Sequence, residues 1–277
     1  SFMAVKAAEM LLSQRNISAD ELDLIIIATV TPDMPVPSTA ALVQKELNAS
    51  NCWGFDLNGG CTGFVYALSI ASQFVENGKH QKIMVIGADK MSAIIDYEDR
   101  NTCVVFGGTA GAVLIEPSND DLGIKDFILH MDGSGHNSLY MSAGGSLEPA
   151  SMETVSKRRH FVYQDGKAVF KRAVKDMADV SIQIMKKNNL TGKDIRFLIP
   201  HQANLRIIDA VAKKMKLDED HVVVNICKYG NTTAATIPLA MSEAYRDRLI
   251  KKEDWIVISA FGAGYTWGSC LIRWALD

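Results

Sequence analysis

Three side chains in this sequence, a thiol, an imidazole and a carboxamide, have the types and settings of a chemically matched set. Cys61 follows two glycines in "FDLNGGCTGFVYAL" (55–68), where an apolar run gives way to a helix-like pattern. His201 stands in "PHQANLR" directly after the apolar "RFLI", and Asn231 stands in "YGNTTAA" after "VVVNICK". A thiolate attacks carbonyl carbons, and the N-terminus of a helix favours ionisation of a thiol placed there. Each residue also has a plain structural reading: a small buried hydrophobe, a loop histidine bonded to backbone, and a turn residue that tolerates positive φ. Their shared position at the ends of apolar strands tips the balance, because open α/β folds form their sites there. A further glycine turn, Gly262-Ala263-Gly264, ends the strand-like "IVISA".

The remaining candidates are weaker. His80, His130, His136, His160 and His221 have no Cys, Asp or Glu at metal-ligand spacing and are read as surface residues, so no metal site is expected. Cys52, Cys103 and Cys270 lie in or beside strands and read as core, while Cys227, close to Asn231, stays open. "FGGTAGAV" (106–113) lacks the G-x-G-x-x-G spacing of a dinucleotide loop and runs on into strand-like "AVLIE".

The elements that must position these groups come from an internal repeat. "NISADELDLIII" (16–27) is echoed 173 positions later by "NLTGKDIRFLI" (189–199). A helical run precedes each copy ("AVKAAEMLLSQ" and "VFKRAVKDMADVSIQIMKK"), and another follows ("TAALVQKEL" at 39–47, "LRIIDAVAKKM" at 205–215). Each half then reaches a further apolar run, "CWGFDL" and "HVVVNI". Strands alternating with such helices imply crossover connections and largely parallel, buried sheets. "KIMVIGADK" (82–90) adds a strand, and 103–116 and 254–274 are each expected to form a pair of strands joined by a glycine-rich turn. The boundaries expected are a first half at 1–120, a turn-rich insertion at 121–162 and a second half at 163–277. Because "RHFVYQDGK" precedes the second half's first helix, a strand-bearing segment is also expected ahead of Ser1.

Composition narrows the class. The 277 residues are 48% hydrophobic, enough for large buried cores, and the net charge of −3 supplies no field for nucleic acid or an anionic membrane. No apolar run approaches the roughly 20 residues that span a bilayer. Five cysteines without a C-x-x-C pair argue against zinc and against a disulfide framework, so a cytoplasmic setting is expected.

"GGCTGFVYAL", "PHQANLRII", "KYGNTTAATIP" and "FGAGYTWGS" resemble the motifs of 3-oxoacyl-[acyl-carrier-protein] synthase III. The likeness runs from "DLIIIATVTPD" to "TWGS", nearly the whole chain, and "PHQAN" with "YGNT" separates this family from condensing enzymes that use two histidines. The resemblance implies the thiolase fold, a duplicated α/β unit in five layers (αβαβα), as a homodimer. It implies decarboxylative condensation of an acyl-CoA primer with malonyl-acyl carrier protein, giving a 3-oxoacyl carrier protein at the start of type II fatty acid synthesis. No cofactor is implied, since both substrates are thioesters. By the same resemblance Cys61 carries the acyl group, while His201 and Asn231 hold the malonyl thioester for decarboxylation. The backbone N–H groups of Cys61 and Ala263 form the oxyanion hole. Asn204, Arg206 and Phe170 match positions lining the pantetheine tunnel or the mouth of the site. Arg206, Lys213 and Lys214 form a basic face for an acidic carrier protein, or equally a solvated face. Val36 matches an acyl-pocket loop position where some members carry Phe, which suggests room for longer or branched primers. Two departures stand out: Gly108 and Thr109 replace an Asp-Gly pair, and Ala263 stands where the family has Gly. The family's N-terminal strand and a Trp/Arg segment for the CoA nucleotide would precede Ser1.

A papain-like protease shares the order Cys, His, Asn, but the surroundings of Cys61 and the parallel repeat exclude it. A secondary-metabolite condensing enzyme or acyltransferase of the same fold, and a catalytically silent scaffold subunit, are the alternatives.

Overall fold

The structure is a computed structural model describing residues 1–118 and 120–277. The first half runs α1 (Phe2–Arg15), β1 (Leu24–Ala28), α2 (Thr39–Glu46), β2 (Trp53–Leu57), α3 (Gly63–Glu76), β3 (Ile83–Lys90) and β4 (Gly108–Ile115). β5 (Gly123–Met131), β6 (Leu139–Tyr140), α4 (Met152–Ser156) and β7 (Tyr163–Gln164) follow. The rest comprises α5 (Gly166–Lys187), β8 (Ile195–Pro200), α6 (Leu205–Met215), α7 (Ile226–Tyr229), α8 (Thr236–Arg246), β9 (Trp255–Gly262) and β10 (Thr266–Arg273).

The repeat holds at the level of single hydrogen bonds. Asn16 and Asn189 both end their helices in the left-handed region, at φ 52 and 58°. The next residues, Ile17 and Leu190, donate N–H groups to Leu12 and Met185. One residue further on, Ser18 N–H donates to Glu21 and Thr191 N–H to Asp194, so that an acid secures the turn into each strand. Equivalent polar residues thus close equivalent corners.

Two four-stranded sheets result, in the orders β2-β1-β3-β4 and β5-β10-β9-β8. β1 is parallel to β2 and β3, and β8 to β9; β4 and β10 run antiparallel to their neighbours. Strand alternation sorts the apolar residues into layers. Ile25, Ile27, Met84 and Ile86 of the first sheet face Ala4, Ala8 and Leu12 of α1 and Ala40 and Val43 of α2. Leu24, Ile26, Ile83 and Val85 face the other way, onto Phe64 and Leu68 of α3 and Ile237 and Met241 of α8. Ile199, Ile256, Ile258 and Ile272 of the second sheet close that middle layer. Leu198, Val257 and Leu271 bury against Met177 and Ile184 of α5 and Val211 of α6. The order is helices, sheet, helices, sheet, helices: the expected five layers.

Three expectations are corrected. Residues 103–116 yield one strand, not a hairpin: Gly107 lies against the second half, where an added Cβ would meet the Tyr229 carbonyl at 2.1 Å. "HVVVNI" forms no strand beyond a single bridge, Leu198↔Val222, with Val223 N–H donating to the Leu198 carbonyl. Within 121–162, β5 is no insertion but the edge strand of the second sheet, paired along β10. Among the described residues no helix is long and apolar enough to cross a membrane.

Candidate active site

Cys61 sits in a short turn, Gly60–Thr62, between the end of β2 and the start of α3. Gly60 takes φ +57°, a conformation glycine adopts without the penalty of a Cβ. Threonines fasten this turn to the one joining β9 and β10. Thr62 Oγ1 donates to the Thr266 carbonyl at 3.1 Å, and Thr266 Oγ1 donates to the Gly59 carbonyl at 3.1 Å. The approach is tight: a Cβ on Gly262 would lie 2.6 Å from the Cys61 backbone nitrogen, and one on Gly60 would lie 3.1 Å from that of Ala263. Neither the Cys61 nor the Ala263 N–H donates to a backbone carbonyl among the described residues. Two free amide donors therefore flank the thiol.

Cys61 is 7% exposed. Burial, with the charge of Asp89 as a second cause, pushes its thiol up to about 12. The aligned N–H groups at the start of α3 act in the opposite direction.

His201 directly follows β8, and its N–H donates to the Ser259 carbonyl of β9 at 2.7 Å. Its ring is buried, which lowers its pKa to about 3, so the imidazole is neutral at physiological pH. Nδ1 lies 2.7 Å from Thr236 Oγ1. Asn231 is held by the first half: its N–H donates to the Val105 carbonyl and its own carbonyl accepts from Gly107 N–H, both at 2.9 Å. Its Oδ1 accepts from Thr233 N–H at 2.9 Å, which leaves Nδ2 as the free end of the amide. Neither His201 Nε2 nor Asn231 Nδ2 has a protein partner among the described residues, and neither is sealed from solvent. The arrangement can therefore offer one imidazole and one amide group to a ligand.

Four supporting residues escaped sequence reasoning. Asp89, at the end of β3, is 1% exposed and accepts from Val30 N–H, Thr31 N–H, both hydroxyls of Thr29 and Thr31, and Ala234 N–H of the second half. Burial raises its pKa, and these donors oppose that rise. Gln202, wholly buried, donates to the Pro200 and Val223 carbonyls and accepts from Asn225 and Ile226 N–H. Thr233 and Thr236 join His201 to Asn231. The available signal was a polar residue ending an all-apolar strand, as in "KIMVIGAD" and "RFLIPHQ".

The outer candidates are not drawn into this buried centre. Val36 is 82% exposed in the loop before α2, and Phe170 is 38% exposed on the first turns of α5. Asn204 caps α6 by accepting from Arg206 N–H, while Arg206, Lys213 and Lys214 are exposed along that helix. Of the cysteines read as core, only Cys270 is fully buried; Cys52 and Cys103 are half-buried beside turns, and Cys227 is exposed. His130 and His136 are exposed as expected, whereas His80 is half-buried against Phe74 and Trp53.

Comparison with known proteins agrees with this geometry. Residues 55–133 match the family described as 3-oxoacyl-[acyl-carrier-protein (ACP)] synthase III, and residues 185–274 match its C-terminal domain. The beta-ketoacyl-[acyl-carrier-protein] synthase III of Chlorobium chlorochromatii is 53% identical over 276 residues, covering 99% of this chain and 84% of that protein. Its counterpart in Chlorobaculum tepidum is 52% identical with the same coverage. The crystal structure of 3-oxoacyl-[acyl-carrier-protein] synthase III from Aquifex aeolicus superposes with a TM-score of 0.90 at 41% identity, over 98% of this chain and 83% of that one. With the duplicated five-layer fold and the strand-end thiol, imidazole and amide, these matches identify the chain as a member of the 3-oxoacyl-[acyl-carrier-protein] synthase III family.

Proposed function

We propose that this acyltransferase takes an acyl group from acyl-CoA onto Cys61 and condenses it with malonyl-acyl carrier protein, initiating fatty acid synthesis. The Cys61 sulfur attacks the acyl-CoA carbonyl; the new C–S bond replaces the bond to CoA, whose thiol leaves with the proton. The N–H groups of Cys61 and Ala263 hold the oxyanion of that addition. Malonyl-carrier thioester then loses CO2, and its carbonyl oxygen becomes an enolate oxygen between His201 and Asn231. The enolate carbon attacks the acyl-Cys61 carbonyl, the C–C bond forms, the C–S bond breaks, the Cys61 thiolate takes a proton from water, and the 3-oxoacyl carrier protein departs. Both substrates arrive as activated thioesters, so the scheme uses no cofactor. The observation that carries it is the fastening of the Cys61 turn to the Ala263 turn, which sets two unspent amide donors beside a nucleophile.

The exposed basic face of α6, with Arg206, Lys213 and Lys214, is the docking surface for the acidic carrier protein, and Asn204, Phe170 and Val36 border the substrate's path. The free edge of β2, with Trp53 exposed, supports a homodimer in which two copies pair along that strand. Five free cysteines suit a reducing cytoplasm. Radiolabelled acyl-CoA should label the wild-type chain and spare Cys61→Ala, and added malonyl-carrier protein should convert the label to 3-oxoacyl product. Label that ignores Cys61 would end the proposal.

A further inference from the structure

We propose that Thr236 sets the tautomer of His201, donating its hydroxyl proton to Nδ1 and so holding the imidazole proton on Nε2. The inference rests on the decarboxylating role proposed for His201. A neutral imidazole has one proton, and only the Nε2–H form can donate to a developing enolate oxygen. What fixes that form is therefore part of the chemistry.

Thr236 opens α8 and is buried, with its Oγ1 between two hydrogen-bond partners. One is His201 Nδ1 at 2.7 Å; the other is the Thr233 carbonyl at 3.1 Å. A hydroxyl has a single proton to give. If it went to Thr233, the 2.7 Å contact would be an N–H donor bond, shorter than the roughly 2.9–3.0 Å typical of that type, and the hydroxyl bond would be longer than its usual 2.7–2.8 Å. If it goes to Nδ1, the short contact is a hydroxyl bond of ordinary length. The Thr233 carbonyl is not orphaned by this choice, because it already accepts from Thr236 N–H. Burial keeps the ring neutral and so makes the tautomer matter.

The same turn orients Asn231. Thr233 is a β-branched residue at φ +56°, a backbone state that needs enforcement by its surroundings. In that state its N–H reaches Asn231 Oδ1 while its carbonyl faces Thr236. Thr233 and Thr236 thereby leave His201 Nε2–H and Asn231 Nδ2–H as the matched donors.

Nitrogen-15 NMR of the imidazole in the unliganded protein at pH 7 should place the proton on Nε2. Thr236→Val keeps the shape and removes the donor. It should lower CO2 release from malonyl-carrier protein roughly a hundredfold, the scale of a lost acid–base or donor contribution, while leaving labelling of Cys61 by acyl-CoA near wild type. Thr236→Ser should return CO2 release to within a few-fold. An Nδ1–H wild type, wild-type CO2 release by Thr236→Val, or equal losses in the Val and Ser variants would overturn the assignment. His201→Ala separates the two ideas: if it still releases CO2 normally, the role of His201 is wrong, whereas loss in His201→Ala with none in Thr236→Val refutes only the part given to Thr236.

Discussion

At the scale of single residues, burial decides the charge states. Unfolded, His201 titrates near 6.5; folded, it does so at about 3. As pH falls through that window the unfolded chain binds a proton that the native one refuses, so stability is complete above pH 6.5 and declines below it. Between pH 7 and 4.5 this histidine alone removes roughly 2–3 kcal/mol. The same interval should cost His201→Gln that much less, as read by urea denaturation at both pH values; equal losses would refute the assignment of a neutral, buried ring. Over pH 5–8, CO2 release should likewise show no acid limb belonging to His201. Asp89 stands apart as a group that burial alone would neutralise, yet its five donors suit a carboxylate.

At the scale of elements, Gln202 and Glu243 secure the segment that precedes Asn231. Glu243 accepts from Asn225 Nδ2 at 2.8 Å and from the Tyr229 hydroxyl at 2.7 Å, at either end of α7, while Gln202 ties the start of α7 to the end of β8. Gln202→Leu would strand two buried and two half-buried backbone groups and should destabilise by about 3 kcal/mol in chemical denaturation. On α6, Lys213→Glu with Lys214→Glu should raise KM for malonyl-carrier protein several-fold and leave acyl-CoA labelling unchanged; an unchanged KM returns that face to solvent. Much at this scale was legible. β1, β3, α1, α2 and α6 announce themselves through unbroken apolar runs or helical periodicity, and the duplicated Asn–x–Ser/Thr corner exposed the architecture. β5 was hidden because Lys125, Asp126 and His130 interrupt the apolar pattern of "GIKDFILHM", which sits among turn residues. "HVVVNI" misled in the opposite sense: its composition favours a strand, but Gln202 captures the N–H groups of Asn225 and Ile226, bending the chain away after one bridge. Cys61, His201 and Asn231 stand out as candidates in the sequence because they follow apolar runs. Thr233 and Thr236 could not, since their value lies in a turn geometry that sequence spacing does not encode.

At the scale of the molecule, glycines let the halves meet. A Cβ at Gly87 of β3 would lie 2.3 Å from the Ala234 carbonyl, and one at Gly111 of β4 would lie 2.8 Å from Leu239 nitrogen. Gly87→Ala should therefore cost about 1–3 kcal/mol and displace the turn that carries Thr233, lowering CO2 release more than Cys61 labelling. Equal effects on both steps would mean that the strain spreads through the fold instead of entering that turn.

The grip of Val105 and Gly107 on Asn231 has a consequence for the birth of the enzyme. The half that carries Cys61 leaves the ribosome first, with a thiol but without the amide and imidazole to which the proposed mechanism gives decarboxylation. Asn231 gains its final backbone partners only when residues more than a hundred positions apart close on each other, a late event in a fold of such long-range contacts. On that mechanism a nascent chain displays the Cys61 sulfur early but consumes no malonyl thioester until both halves have docked.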